Sequence, residues 1–275
     1  MPAILAVLSS LLWGSADFGG GLASRRLPAA AVVAWSQSAG LVGATCVVVA
    51  TGAWRGPAGW LPWAPAAGAA GGAALLAFYL ALASGRMSVV SPIASLGVLV
   101  PVLAGLVTGD RPSGAQSAGM VLAVGGAFAA SGPELRGAVG RRSVALAALA
   151  GLGFGVALLF MARGALANPA MTMAGMRATS VTCFALVGLA ARTAGGVVPR
   201  DLPGLAAVGL ADVGANLLYG IAVRSELLSV VAVLGALYPV ATVLLARFVL
   251  GERLQPVQRW GVAGALGGVV LLAAA

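Results

Sequence analysis

The residues of this sequence that could do chemistry are a few charged side chains inside long apolar runs. Asp17 lies in the stretch LLWGSADFGGGLASRR, one helical turn after Trp13, so the two side chains share a helix face. Arg177 lies in another apolar run. A carboxyl group held away from water can exchange a proton for a cation, and an arginine there can hold a carboxylate. One interpretation is that these residues bind substrate and protons. The alternative is that they only support the fold: Arg177 neutralises either Asp17 or Asp212, or Asp17 is held by backbone groups near the glycines at 19–21 or is hydrated close to the interface.

A second polar set follows a helical spacing nearer the end of the chain. Asp212, Asn216 and Tyr219 stand at positions i, i+4 and i+7, which places them on one face of a helix. A polar stripe is costly against lipid, so we expect it to face the interior of the protein. The stripe either binds substrate or joins helices through side-chain hydrogen bonds. Proton coupling is predicted at Asp17 and Asp212.

These side chains must be positioned by helices in a bilayer, because the composition is that of an integral membrane protein. Apolar residues make up 60% of the chain and charged residues 8%, whereas soluble domains are about half apolar and about a quarter charged. All 16 basic residues are arginine, and they are scattered in short connectors. This pattern fits anionic lipid headgroups better than a nucleic acid. We therefore expect a lipid bilayer, and no nucleic acid, as a partner.

The absence of histidine narrows the possible chemistry further. It excludes histidine-based triads, HExxH zinc sites and imidazole proton relays. Cys46 and Cys183 lie in separate apolar runs without CxxC spacing, and they are interpreted as small core residues. No metal site and no catalytic residue is predicted.

Ten apolar runs are long enough for the roughly 20 residues that a helix needs to cross the hydrocarbon core. They cover about 2–22, 30–51, 65–84, 88–108, 113–131, 143–164, 170–191, 203–222, 227–250 and 257–275. The connectors between them are short and leave no room for a soluble domain. We predict an all-α integral membrane protein with ten transmembrane helices.

The two halves of the chain align with each other when the sequence is shifted by about 142 residues. Glycine and charged positions then match in order, with 109–111 on 251–253, 116 on 258, 119 on 261 and 125–126 on 267–268. Each half would hold five helices, and an odd number reverses the second copy, which predicts inverted repeats around a central site. The first repeat is expected at 1–131, a connecting loop at 132–142 and the second repeat at 143–275.

The charged candidates are not repeated between the halves. Asp17 aligns with Leu158, Arg177 with Ser36, and Asp212 with about Gly71. A symmetric scaffold with asymmetric chemistry suits a carrier that holds one asymmetric substrate at its centre.

Three stretches carry a resemblance to a known family: LLWG at 11–14, SVVSPIASL at 88–96 and YPVATVLLARFVLGERL at 238–254. With them the whole chain resembles the EamA-type transporters of the drug/metabolite transporter superfamily. Three positions depart from the family pattern, since Gly97 stands where Pro239 would map, Asp110 replaces a glutamate, and Ser36 stands where a second arginine is expected. The resemblance implies a secondary carrier for small metabolites, often an exporter, with ten helices and no cofactor.

Aromatic side chains are predicted to complete the substrate site, with packing against helices or lipid as the alternative. The predicted substrate-binding residues are Trp13, Asp17, Trp35, Tyr79, Arg177, Asp212, Asn216, Tyr219 and Tyr238.

The leading hypothesis is a secondary transporter, a monomer or homodimer, that moves a small polar metabolite outward by alternating access with proton coupling. A channel or a non-transporting assembly factor remains an alternative. An intramembrane aspartyl protease would need Asp17 and Asp212 to share a proton. The GxGD motif of such enzymes is missing, since the two acids stand in GSADFG and GLADVG. No enzyme is therefore predicted.

Two lines of reasoning disagree on the orientation in the membrane. Ten arginines lie in the odd-numbered connections and four in the even-numbered ones. Positive-inside sorting therefore predicts both termini outside, whereas the family resemblance implies both termini in the cytoplasm. The charge count is preferred because it belongs to this sequence.

Overall fold

A computed structural model describes residues 2–84, 87–130, 140–190, 192, 195–249 and 255–274 of the chain. In these residues the regular structure is helical, without strands. The helices are α1 Pro2–Ala23, α2 Ala29–Thr51, α3 Trp63–Ser84, α4 Met87–Ser95, α5 Leu99–Thr108, α6 Gly114–Ala130, α7 Arg141–Ala167, α8 Pro169–Ala190, α9 Leu202–Ala222, α10 Leu228–Gly235, α11 Tyr238–Val249 and α12 Pro256–Ala274.

The all-α class predicted from composition is confirmed. Within the described residues, eight helical stretches are long and apolar enough to cross a membrane, and two shorter apolar stretches cover Ile93–Thr108 and Gly114–Ala130. Large apolar side chains such as Val107, Phe248 and Trp260 lie exposed on the outside of the bundle. An outer surface of this kind is expected where lipid, rather than water, surrounds the helices.

The structure differs from the prediction in the runs 88–108 and 227–250, because each is interrupted near its middle. A short 3₁₀ turn at Leu96–Val98 separates α4 from α5, and the α10 helix ends at Gly235 before α11 begins at Tyr238. Each break lies just before a proline, Pro101 or Pro239. Proline lacks the N–H that would bond to the carbonyl four residues earlier, so the helix breaks there. Hydropathy does not register such a break.

Helix packing follows two matching sets of neighbours. The α3 helix packs on α7 and α8, while α9 packs on α1 and α2. The α4 and α5 segments pack on α7, while α10 and α11 pack on α1. The α6 helix packs on α12, and α2 packs on α8. Each contact made by a helix of the first half therefore has a counterpart in which both helices are displaced by five predicted helices along the chain.

Glycines allow α6 and α12 to approach closely. A Cβ added at Gly126 would meet the backbone of Ala265, and one added at Gly268 would meet the backbone of Ala123. The two glycines are 142 positions apart, and so are the two alanines. The contact is thus reciprocal.

The interpretation of the cysteines as core residues is wrong. Cys46 and Cys183 are both exposed on the outside of α2 and α8. In a membrane protein the outer surface is also apolar, so a small apolar residue gives no indication of which side it faces.

Candidate functional site

A cavity of about 90 Å³ lies at the centre of the bundle, where the two interrupted segments meet α1, α2, α3, α7, α8 and α9. One buried water needs about 10–15 Å³ of such space, so the cavity has room for a small molecule. Six of the predicted substrate-binding residues line it, namely Trp13, Asp17, Arg177, Asp212, Asn216 and Tyr238.

A buried polar network joins α2, α8 and α9 on one side of this cavity. Arg177 Nη2 lies 2.8 Å from Asp212 Oδ2, and the two side chains are 7% and 18% exposed. Arg177 Nη1 also donates to Gln37 Oε1, which accepts a second hydrogen bond from Ser180 Oγ at 2.9 Å. Asn216 Nδ2 donates to Asp212 Oδ1 at 2.9 Å. The positive charge of the Arg177 guanidinium is therefore neutralised by the negative charge of the Asp212 carboxylate.

The start of α8 fixes the position of Arg177. Asn168 precedes Pro169 at the first helical position, and its Oδ1 accepts the N–H of Met171 at 3.1 Å. This is the usual capping of a helix by asparagine followed by proline. Asn168 Nδ2 also donates to the backbone oxygen of Ala53 at 2.9 Å. Arg177 follows about two turns later, at a depth set by this cap.

Asp17 lies on the same cavity but outside the network. Its carboxyl group interacts electrostatically with Asp212 and with the tyrosines Tyr79 and Tyr238. Within the described part of the chain, no basic side chain pairs with it and no donor binds it. Of the two pairings that the sequence left open for Arg177, the structure forms the one with Asp212. Among the residues that the structure describes, Asp17 is therefore the lining carboxyl group without a cationic partner.

Aromatic side chains back this carboxyl group. Trp13, one turn before Asp17, lines the cavity and packs on Tyr219 with ring centroids 5.6 Å apart. Tyr219 is fully buried behind Trp13 rather than in the cavity lining. Tyr238 lines the cavity from the start of α11. The polar stripe of α9 thus divides, with Asp212 and Asn216 at the cavity and Tyr219 supporting Trp13.

Tyr79 lies next to the site without lining it. The side chain is 1% exposed, and its hydroxyl lies where a Cβ on Gly20 would be. The glycine at that position of α1 therefore makes space for the tyrosine of α3. Tyr79 is close enough to Asp17, Asp212 and Arg177 to interact electrostatically with them.

Trp35 does not line the cavity and is 38% exposed. The buried face of α2 is formed by Val33, Ser36, Gln37 and Gly40, which recur at the spacing of one helix face. Position 35 points away from that face. The prediction of Trp35 as a pocket wall therefore lacks support in the geometry.

Sequence reasoning missed Gln37, which accepts hydrogen bonds from Arg177 and Ser180 and donates to Asp212 Oδ2 at 3.3 Å. The side chain is 2% exposed. The available signal was an amide in the middle of the apolar run 30–51, which needs buried partners for the same reason as an embedded charge.

The cavity lining is built from positions that repeat along the chain. Four pairs of lining residues occupy aligned positions of the two halves, 141 positions apart: Trp13 and Phe154, Asp17 and Leu158, Gly71 and Asp212, Leu75 and Asn216. Asp17 of α1 and Asp212 and Asn216 of α9 are polar, whereas their partners on α7 and α3 are Leu158, Gly71 and Leu75. One wall is therefore polar and another apolar, although the backbone positions correspond.

Comparison with known proteins gives a family and a fold. Residues 141–274 match the EamA-like transporter family. Among the 13 chains of solved structures that match, a crystal structure described only as that of a protein superposes with a TM-score of 0.79 at 20% sequence identity, over 98% of this chain and 95% of that chain. None of the curated proteins matches the chain. At this identity the solved structure establishes a shared fold.

Proposed function

Because the chain belongs to the EamA-like transporter family, which its residues 141–274 match, we propose that it carries a small polar metabolite across the cell membrane by alternating access. Members of this family are membrane transporters rather than enzymes, and the chain is a multi-pass membrane protein. The direction proposed is export. The observation that carries the proposal is the central cavity, whose lining includes aligned residues of the first and second halves.

We propose that the carrier consists of two inverted five-helix repeats, residues 1–131 and 143–275, joined by 132–142. Three features support this arrangement. The helix neighbours form two matching sets, and α6 meets α12 through reciprocal contacts. The interrupted segments also occupy corresponding places in the two halves. Discontinuous helices at a midplane site between inverted repeats are a recurrent feature of secondary transporters.

Asp17 is the proposed coupling residue. An ionised carboxylate is costly in a site of low water content unless a cation lies beside it, whereas the protonated form is tolerated. Arg177 is already paired with Asp212, so the cation must come from elsewhere. A proton and a positively charged group of the substrate then compete for Asp17. A carrier that reorients only when this site is occupied exchanges one for the other. Asp212 contributes by holding Arg177.

The same geometry argues against an aspartyl protease. Such an enzyme needs two carboxyl groups that share a proton. Asp212 is instead paired with Arg177 and accepts hydrogen bonds from Asn216 and Gln37, so its oxygens bind these donors rather than a proton shared with Asp17.

The proposed function is tested by comparing metabolites in cells that overproduce the protein and in cells that lack it, followed by counterflow of the identified compound. Purified protein in liposomes should give saturable uptake of labelled compound against unlabelled compound inside. Flux that rises linearly with concentration and shows no counterflow would indicate a channel and contradict the proposal.

A further inference from the structure

We propose that the substrate is an amphipathic organic monocation, whose charged end binds at Asp17 and Trp13 and whose apolar body packs on Phe154, Leu158 and Leu75. The inference rests on the proposed transport function and adds the chemical class of the substrate to it.

The charges around the cavity favour a cation. Its described ionisable lining groups of full charge are Asp17, Asp212 and Arg177. Asp212 and Arg177 cancel, with 2.8 Å between Nη2 and Oδ2. Ionised Asp17 therefore leaves the site with one negative charge. A monocation restores neutrality, whereas an anion would add a second buried negative charge at considerable cost.

The network also disfavours substrates that carry a carboxylate. Both terminal nitrogens of Arg177 are engaged, Nη1 by Gln37 and Nη2 by Asp212. Its Nε is buried without a hydrogen-bond partner. A substrate carboxylate would compete with Asp212 for the charge of the guanidinium, and displacing Asp212 would leave that acid buried without its cation. Amino acids are therefore expected to bind more weakly than the corresponding amines.

The surroundings of Asp17 suit a cation that is attached to an apolar body. Trp13 lines the cavity one turn before Asp17, and a cation near an indole ring is attracted by its π electrons. The positions in the other half that correspond to Trp13, Asp17 and Asn216 are Phe154, Leu158 and Leu75. These three residues offer an apolar surface to the rest of the molecule. A small hydrophilic cation would leave that surface without a partner.

Three compounds that share a phenylethyl group but carry different charged groups test this inference. Phenethylamine is a cation, phenylalanine adds a carboxylate to it, and 3-phenylpropionate keeps the carboxylate without the amine. Ethylamine serves as a cation without the ring. Binding to the purified full-length protein in detergent is measured by calorimetry. Phenethylamine should bind at least about tenfold more tightly than each of the other three compounds.

Variants of the two walls identify the site. Asp17→Asn should weaken phenethylamine binding by about tenfold or more, because the buried cation loses its partner. Leu158→Gln should weaken the binding of phenethylamine but leave the binding of ethylamine unchanged. Asp201→Asn, which removes the acid at the last residue of the short helix Pro199–Asp201, away from the cavity lining, is the matched control and should bind as the parent does.

Counterflow in liposomes separates this inference from the proposed function. Benzyltrimethylammonium is an analogue of phenethylamine that does not cross membranes unaided. Its counterflow would support both the transport function and the substrate class. Saturable counterflow of phenylalanine or 3-phenylpropionate in preference to the cation would uphold transport and overturn the substrate class. Tight, Asp17-dependent binding of phenethylamine without counterflow of the analogue would uphold the ligand class and refute transport. Failure of phenethylamine to bind would overturn the inference.

Discussion

Arg177 and Asp212 should behave as one unit when the protein unfolds. Their side chains are 7% and 18% exposed and lie 2.8 Å apart. Removal of one partner leaves a buried charge without compensation, which costs about 3–5 kcal/mol. Asp212→Ala should therefore lower the free energy of unfolding by about this amount. Arg177→Met should lower it less, because Asp212 keeps Asn216 and Gln37 as donors.

The double variant Arg177→Met/Asp212→Ala should lose much less stability than the sum of the two single variants, with a coupling energy of about 2–3 kcal/mol. The assay is denaturant unfolding in a mild detergent, followed by tryptophan fluorescence. Asp17→Asn is the matched control, because it also removes a carboxylate at the cavity but breaks no ion pair of the described residues. It should change the free energy of unfolding by less than about 1 kcal/mol. Single effects that add to within about 0.5 kcal/mol would refute the ion pair.

Three further predictions concern packing, capping and orientation. Gly126→Val should lower the free energy of unfolding by about 1–3 kcal/mol, because the new side chain meets the α12 backbone. The control Gly125→Val places its side chain in open space and should leave the stability nearly unchanged. Equal losses of stability in thermal unfolding of the two variants would contradict the close approach of α6 and α12. Asp110 Oδ2 accepts the N–H of Ser229 at 2.8 Å near the start of α10, so Asp110→Ala should cost about 1 kcal/mol. Asp110→Asn, which keeps an acceptor, should retain most of that stability. A reporter that is active only in the cytoplasm, fused after Ala275, should be inactive if the arginine distribution sets the orientation, and activity would favour the orientation implied by the family.

The helices could be predicted from sequence because their signal is local. Apolar runs of sufficient length, bounded by proline, glycine and arginine, mark helix positions without any knowledge of neighbours. The breaks before Pro101 and Pro239 were missed because a hydropathy run continues through them, although each proline removes a backbone donor.

The site was harder to predict because it depends on helix rotation and on partners far apart in the chain. The residue types of Asp17, Arg177 and Asp212 made them candidates, but only the packing of α8 beside α9 decides that Arg177 binds Asp212. Gln37 was missed for the same reason, since its partners lie 140 and 143 positions away. Trp35 was included on residue type, and the buried face of α2 turns it outward.

The measurement that tests the central claim most directly is uphill transport driven by a proton gradient in liposomes that contain either the parent protein or Asp17→Asn. Asparagine keeps the size and most of the hydrogen bonding of aspartate but does not titrate. The parent should accumulate substrate against its gradient, whereas Asp17→Asn should fold normally and fail to do so, with downhill exchange retained. Uphill transport by Asp17→Asn at the rate of the parent would show that Asp17 is structural and contradict proton exchange at this carboxyl group.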